Sequence, residues 1–579
     1  MISGSGFLNL SPLSAWLAVW GAVCYAGDRP TCCANGSVPS PLSAWLAVWG
    51  AVCYAGDRPI CCANGSVPSL LSAWLAMWWD CFFAVEDGGY SARLEWYEFV
   101  AQVIRMEDFD MISFEEARSL LEANGQGHVL RFWNELNEDE RNALLTQIET
   151  IDFESIARMR ELMAEEHAVA GDSEIEPSPV MELDEIEVRD AAENLTHSGG
   201  GSLTSGEVGV VLVAGGQGSR LGFDGPKGAY SVGPVSGASL FEIHARKVLA
   251  LERKYGAQVP FYIMTSLIND APTRDFFVEN AYFGLAPERV LFFTQRMWPA
   301  LNESGKFMLD SKSHIFMSPD GHGGTITALQ QSGMLDDMER RGIKTLFYFQ
   351  VDNPLVEVAD PRFIGLHLKE NADMSIKVCA KRDPQEGLGI VAVKDGRNMI
   401  VEYSELTPEQ MNERLPDGKL KLRFGSVAIH MIAFDFLKRE AAAQLPLHVA
   451  HKKVPYLNDA GELIKPESPN AYKFEKFIFD IIPDAEKAIN VEFARENEFS
   501  PVKNAEGSDS PATSRRDMML KFASWLEGCG VEVERDADGI PVRKIEIDPC
   551  FALGTDDLKN RLDSGFVLDA DTYLGAGSE

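Results

Sequence analysis

"VVLVAGGQGSRLGFDGPKGAY", Val210 to Tyr230, joins an apolar run to a segment with six glycines and sets Arg220 and Lys227 seven residues apart. With Val208 before it, the run to Val213 is β-branched and apolar enough to predict a strand buried on both faces of a parallel sheet, cut off by Gly215-Gly216. A loop therefore leaves the strand's carboxyl end. Open α/β sheets collect ligands at that edge, and glycines let backbone N–H groups approach phosphate oxygens with no Cβ in the way. The expected guest is a phosphate.

Two better-known phosphate loops do not fit. A Walker loop needs Gly-Lys-Ser/Thr after four spacer residues, whereas Gly218 is followed by Ser219 and Arg220. A dinucleotide fingerprint needs a third glycine at Leu221, one place before Gly222, and the acid that follows, Glu242, falls inside an expected helix, Leu240 to Tyr255. A nicotinamide or flavin dehydrogenase is disfavoured. What is left is a loop that carries its own cations: Arg220, a planar fork for phosphoryl oxygens, and Lys227, a point charge in a second turn between Pro226 and Gly228. A surface turn with two solvated cations is the competing reading.

Two further segments bear on this choice. Leu346 to Val351 predicts a strand with Asp352 at its carboxyl end, on the same edge as the glycine loop. A hard carboxylate there suits Mg²⁺, which takes one or two carboxylates plus substrate phosphates. By spacing alone, an Asx turn or helix cap before Pro354 is the favoured reading. Asp320-Gly321-His322-Gly323-Gly324 is another turn where backbone can approach a ligand, or an ordinary loop tip.

VAGGQGSRLG (Val213–Gly222) followed by Pro226-Lys227-Gly228 resembles the signature of sugar-phosphate nucleotidyltransferases. Further blocks narrow the resemblance to the eukaryotic-type UDP-N-acetylglucosamine and UDP-sugar pyrophosphorylases. These are FFTQRMWPA (Phe292–Ala300), MSPDGHGG (Met317–Gly324), VDNPLVEVADPRFIG (Val351–Gly365), VEYSEL (Val401–Leu406), FEKFIFD (Phe474–Asp480) and RENEFSPVKNAEG (Arg495–Gly507). They stand in the family's order, from about Leu120 to the C-terminus. The resemblance implies an α/β fold, a Rossmann-like, GT-A-like mixed sheet flanked by helices, with a helical N-terminal lead and a small C-terminal α+β domain. It implies a UTP-dependent sugar-1-phosphate uridylyltransferase acting on UTP and a sugar 1-phosphate with Mg²⁺.

The same resemblance assigns roles to individual residues. Gly215, Gly216 and Gln295 would hold uridine, with Gly321 beside them. Arg220, Lys227 and Lys503 would neutralise the phosphates, and Asp352 would bind the metal. Gly389 and Glu402 would contact the sugar, and Phe477 and Phe479, alternate residues of an expected strand, would wall its pocket. His322 stands where the N-acetylglucosamine enzymes usually carry asparagine, and in FGSVAIH (Phe424–His430) Ser426 and Ile429 occupy two amide positions. Serine is shorter than an amide and isoleucine neither donates nor accepts, so glucose, galactose and N-acetylgalactosamine 1-phosphates stay open beside the N-acetylglucosamine ester.

A formal charge of -34 over 579 residues leaves no broad basic face for nucleic acid. His448 and His451 have no nearby cysteines to complete a zinc set and read as satisfied or solvated side chains. LSAWLAVWGAVCYAGDRPxCCANGSVPS occurs from Leu13 and Leu42, with a third, diverging copy from Leu71, a period of 29. Solenoid repeats keep only their core pattern, so near-identity points to a recent duplication and to translation starting near Met106 or Met111. Each apolar run is shorter than the roughly 20 residues that span a bilayer, so no membrane is expected. Seven of the ten cysteines lie in these copies. A Mg-UTP enzyme belongs in the cytoplasm, where they would stay reduced.

The expected organisation is repeats over 1–105, a helical lead and an acidic, then Gly-Ser linker over 106–205, a catalytic domain over 206–503 and a small domain over 504–579. The rival to an enzyme is a non-catalytic regulator that binds nucleotide sugars on the same fold. A membrane-associated protein defined by its repeats is a third reading.

Overall fold

The computed structural model describes residues 112–165, 175–443 and 445–575, so the N-terminal repeats and the expected start near Met106 or Met111 lie outside the described residues. The strand expected from Val208 forms as β2 (Val208–Val213), between β1 (Ile175–Pro177) and β3 (Phe261–Thr265) in sequence. The main sheet continues with β4 (Val290–Thr294), β5 (Thr345–Gln350), β6 (Met374–Ala380), β7 (Ile390–Lys394), β8 (Arg397–Val401), β9 (Phe424–Ala433) and β10 (Ala488–Glu492). Its order is β1-β7-β9-β5-β2-β3-β4; β6 pairs with β9 and β10, and β8 with β7.

β5, β2, β3 and β4 are parallel neighbours, with Phe349 opposite Leu212 and Leu212 opposite Ile263. Their carboxyl ends therefore open on one edge. The antiparallel strand β9 flanks β5, and Ala428 takes a left-handed φ of 57° within it, where its pairing with β6 shifts register.

Alternate residues of the parallel strands feed two separate cores, as a sheet covered on both faces requires. Val210, Leu212, Phe347 and Phe349 face one cluster, and Val211, Tyr262, Leu346 and Tyr348 the other. The N-terminal lead forms α1 (Phe114–Ala123), α2 (Glu138–Glu149) and α3 (Phe153–Glu165), the first two begun by capping boxes at Ser113 and Asn137. It packs not on the main sheet but on short strands from Met297 onward and the strand Ala471–Glu475, through Trp298, Phe307, Ile315 and Phe474.

Two expectations need correction. From Ile175 on, the supposed linker is β1, α4 (Leu183–Glu193) and α5 (Leu195–Thr204). Gly199 serves packing: a Cβ on it would fall 1.9 Å from the Pro361 carbonyl oxygen, and one on Gly365 of the facing helix would fall 1.9 Å from the carbonyl oxygen of Leu195. The composition of a flexible chain is here that of a helix meeting another at backbone distance. The C-terminal piece is likewise not a separate body. Its helix Pro511–Gly528 and strand Ile545–Ile547 insert Met518, Phe522, Leu526, Ile545 and Ile547 into the same core as β2 and β5.

Candidate active site

The glycine segment leaves β2 and folds back on itself. Gly218 N–H donates to Gly225 O at 2.9 Å and Lys227 N–H to Gly216 O at 3.1 Å, while Gly222 supplies the left-handed turn at φ 67°. Its root is held by a residue for which the sequence offered no signal: buried Asn269, beyond β3, donates to Ala214 O at 2.9 Å and Gly216 O at 3.2 Å. Gln295 follows β4 on the same edge, its N–H bonded to Thr265 O. A Cβ on Gly215 would fall 2.4 Å from Gln295 Nε2, so only glycine lets that amide lie across the loop's start.

Lys227 Nζ reaches Asp352 Oδ2 at 3.1 Å, across 125 residues of sequence. Burial pushes the Asp352 carboxyl up, but Lys227 and Lys503 together hold it below the usual carboxylate range. Lys503 thus lies within electrostatic reach of Asp352 although it comes from a distant segment. Arg220, on the glycine loop, is exposed and makes no hydrogen bond or ion pair with any described residue.

The loop Asp320–Gly324 docks on the chain leaving strand Ala471–Glu475: Lys476 N–H donates to Asp320 O at 2.7 Å, and Gly323 N–H to Lys476 O at 2.8 Å. Gly321 adopts φ 84°, and a Cβ on it would strike Lys476 O at 2.5 Å. This docking brings His322 against Phe477 and Phe479, with ring centroids 5.3 and 5.6 Å apart. His322 Nδ1 accepts from Ile478 N–H at 3.1 Å, which leaves Nε2 as the donor. Burial and the neighbouring His448 lower its pKa to about 4. Phe477 and Phe479 are not strand residues as expected: the strand ends at Glu475, and Phe477 caps a 3-10 turn, Ile478–Asp484.

His448 also packs on Phe477, at 4.3 Å, and contacts the Asp480 carboxylate at 2.9 Å. Burial opposes its charge, yet Asp480 raises its pKa above the ordinary histidine value. It is an ion-pair partner rather than a metal ligand, and His451 stacks on Tyr472 at 4.6 Å. Among the described residues the one metal-like acidic group is Glu357, Asp360 and Glu498. Lys377 already occupies it, 2.6 Å from Glu498 and 3.3 Å from Asp360.

Gly389, Glu402 and Ser426 meet where β7, β8 and β9 join. Ser426 N–H donates to Gly389 O at 2.8 Å, and a Cβ on Gly389 would lie 3.4 Å from Glu402 Oε1. Burial and then Glu405 raise the Glu402 pKa, with His448 opposing, so this group and the aromatic one share an electrostatic neighbourhood. Ile429 does not belong there. It is 1% exposed and packs in the core with Met431, so of the three departures expected near the sugar only His322 and Ser426 lie among the grouped residues.

Residues 156–521 match the family described as UTP–glucose-1-phosphate uridylyltransferase. The chain is 39% identical over 450 residues to UDP-N-acetylhexosamine pyrophosphorylase-like protein 1 of Xenopus tropicalis, covering 74% of this chain and 88% of that one. It is 36% identical over 448 residues to the UDP-N-acetylglucosamine pyrophosphorylase of Saccharomyces cerevisiae, covering 74% and 93%. The crystal structure of the Trypanosoma brucei UDP-N-acetylglucosamine pyrophosphorylase superposes with a TM-score of 0.67 at 26% identity, over 80% of this chain and 99% of that one. With the glycine loop, Asp352 and the aromatic group placed as described, the chain belongs to the UTP–glucose-1-phosphate uridylyltransferase family.

Proposed function

We propose that this protein joins UTP and a sugar 1-phosphate into a UDP-sugar, releasing pyrophosphate. The observation that carries the reading is the convergence of Lys227 and Lys503 on Asp352, beside a bare-backbone loop that carries a third, uncommitted cation, Arg220. Gly215, Gly216 and Gln295 would hold the uridine, Gln295 through its amide against the uracil edge, with Gly321 beside them. Glu402, His322 and Ser426 would offer an acceptor, a donor and a hydroxyl to the sugar, against Phe477 and Phe479.

A sugar 1-phosphate is already anionic at neutral pH, so no protein nucleophile is needed for in-line attack on the α-phosphorus. The side chains align the two anions and neutralise charge moving onto the departing pyrophosphate. Asp352 is the residue that would hold Mg²⁺. Its carboxylate is kept ionised, and a single hard carboxylate plus phosphate oxygens is a common Mg²⁺ donor set. The ion's contribution would be to offset phosphate charge. A binding-only regulator would have no use for cations gathered where pyrophosphate leaves.

The test is pyrophosphate release from UTP and Mg²⁺ across N-acetylglucosamine, N-acetylgalactosamine, glucose and galactose 1-phosphates. Turnover with at least one ester is expected, and its identity names the product as UDP-N-acetylglucosamine or another UDP-sugar. UDP-sugar binding without turnover on any ester would favour the regulator instead.

A further inference from the structure

The segment carrying Lys503 is attached to the strand end carrying Asp352 by the side chain next to that aspartate. Asn353 is 4% exposed. Its Nδ2 donates to Glu498 O at 2.6 Å, and its Oδ1 accepts from Ser500 N–H at 3.1 Å, contacts spanning 145 and 147 residues of sequence. Val502 N–H then donates to Asp352 O at 2.8 Å. Three hydrogen bonds therefore lay the stretch from Glu498 to Val502 along Asp352 and Asn353, ending one residue before Lys503.

The chain on either side has its own anchors. Upstream, Lys377 holds the Glu498 carboxylate at 2.6 Å, and Lys521 Nζ donates to Asn497 O at 2.5 Å. Downstream, the N–H groups of Lys503 and Asn504 share Asp509 O at 2.6 and 3.0 Å. Within the stretch, Ser500 Oγ donates to Asp517 Oδ2 at 2.7 Å and Ser514 Oγ to Ser500 O at 3.0 Å, so losing the Asn353 amide cuts only the tie of Glu498 and Ser500 to the strand end beside Asp352. The required polarity is also fixed, because a backbone carbonyl only accepts and a backbone N–H only donates. An amide satisfies both at once; a carboxylate of the same shape satisfies only Ser500.

We propose that Asn353 is a positioning residue for the transfer reaction, an amide splice that lays the segment carrying Lys503 beside Asp352. This rests on the reading of Asp352 and Lys503 as phosphate and metal groups. Asn353 itself touches neither substrate in that scheme.

The experiment is a double-mutant cycle on the full chain, with N353D, N353A, K503M and the two double variants assayed for pyrophosphate release, and thermal melting run on each. N353D is expected to lower kcat about tenfold at pH 8 with the sugar 1-phosphate KM within about twofold, and to cost nothing further in the K503M background, since coupled residues are non-additive. If N353A does not fold, the isosteric N353D carries the test. An active wild type with multiplicative losses in the cycle overturns the splice alone; a wild type without turnover overturns both readings.

Discussion

Lys227 Nζ stands 3.1 Å from Asp352 Oδ2, joining the glycine loop after β2 to the end of β5. The pair does two jobs. It places a cation at the glycine loop and, with Lys503, keeps a buried carboxyl ionised. Replacing Lys227 by methionine should therefore lower kcat by about 10²–10³, the loss typical of one transition-state charge contact, with sugar KM little changed. The Asp352 pKa should rise once Lys227 is gone, so K227M should lose activity at a higher pH on the acid side than wild type. R220M should lower kcat without that acid-side shift, because Arg220 is not among the groups acting on Asp352. Steady-state kinetics against pH separate the two.

Gly215 leaves room for Gln295, whose Nε2 would be 2.4 Å from any Cβ there. G215A should displace the amide and raise the UTP KM about tenfold, the equivalent of one lost hydrogen bond of roughly 1.4 kcal/mol. The sugar KM should stay within error. A rise confined to the sugar KM would remove Gln295 from the uridine site.

Asp320 is fully buried, and neither carboxylate oxygen has a hydrogen-bond partner. Burial raises its pKa to about 7, against the pull of Lys476 and Arg296. The folded state therefore keeps a proton that the unfolded chain, with an ordinary pKa of about 4, releases between those values. Stability from this group is full below pH 4 and is lost as pH rises through 7. D320N lacks the term, so its Tm relative to wild type should climb from pH 5 to pH 8. Glu498, also raised to about 7, is common to both proteins and cancels. A pH-independent Tm difference would contradict the assignment.

α5 meets helix Pro361–Glu370 through Gly199 and Gly365 at backbone contact. A methyl group at Gly365 would have to move the Leu195 carbonyl, so G365A should cost ~3 kcal/mol, measurable by denaturant unfolding. Gly201, on α5, has no atom within 4 Å of a Cβ built on it, so G201A should be neutral or slightly stabilising.

Much of the local structure was legible. The strand at Val208–Val213, the helix Leu240–Tyr255 and the strand before Asp352 follow from apolar runs and their periods, because a strand covered on both faces must be apolar throughout. The glycine spacing excluded the two better-known phosphate loops, and ordered motifs pointed to the family. Composition misled at Gly199-Gly200-Gly201, since a glycine that loosens a free chain also, at Gly199, lets two helices touch.

The rest was decided by folding alone. Nothing local distinguishes Asn269 or Asn353 from any other polar residue; their roles come from carbonyls and N–H groups brought to them by other segments. Ile429 aligns with a pocket position by motif, yet the β9 backbone turns it into the core. The sequence by itself determined which chemical groups are present and the order in which they occur. The parallel pairing of β5, β2, β3 and β4 decided that the glycine loop, Gln295 and Asp352 share one edge, and long-range hydrogen bonds decided which side chains face one another there.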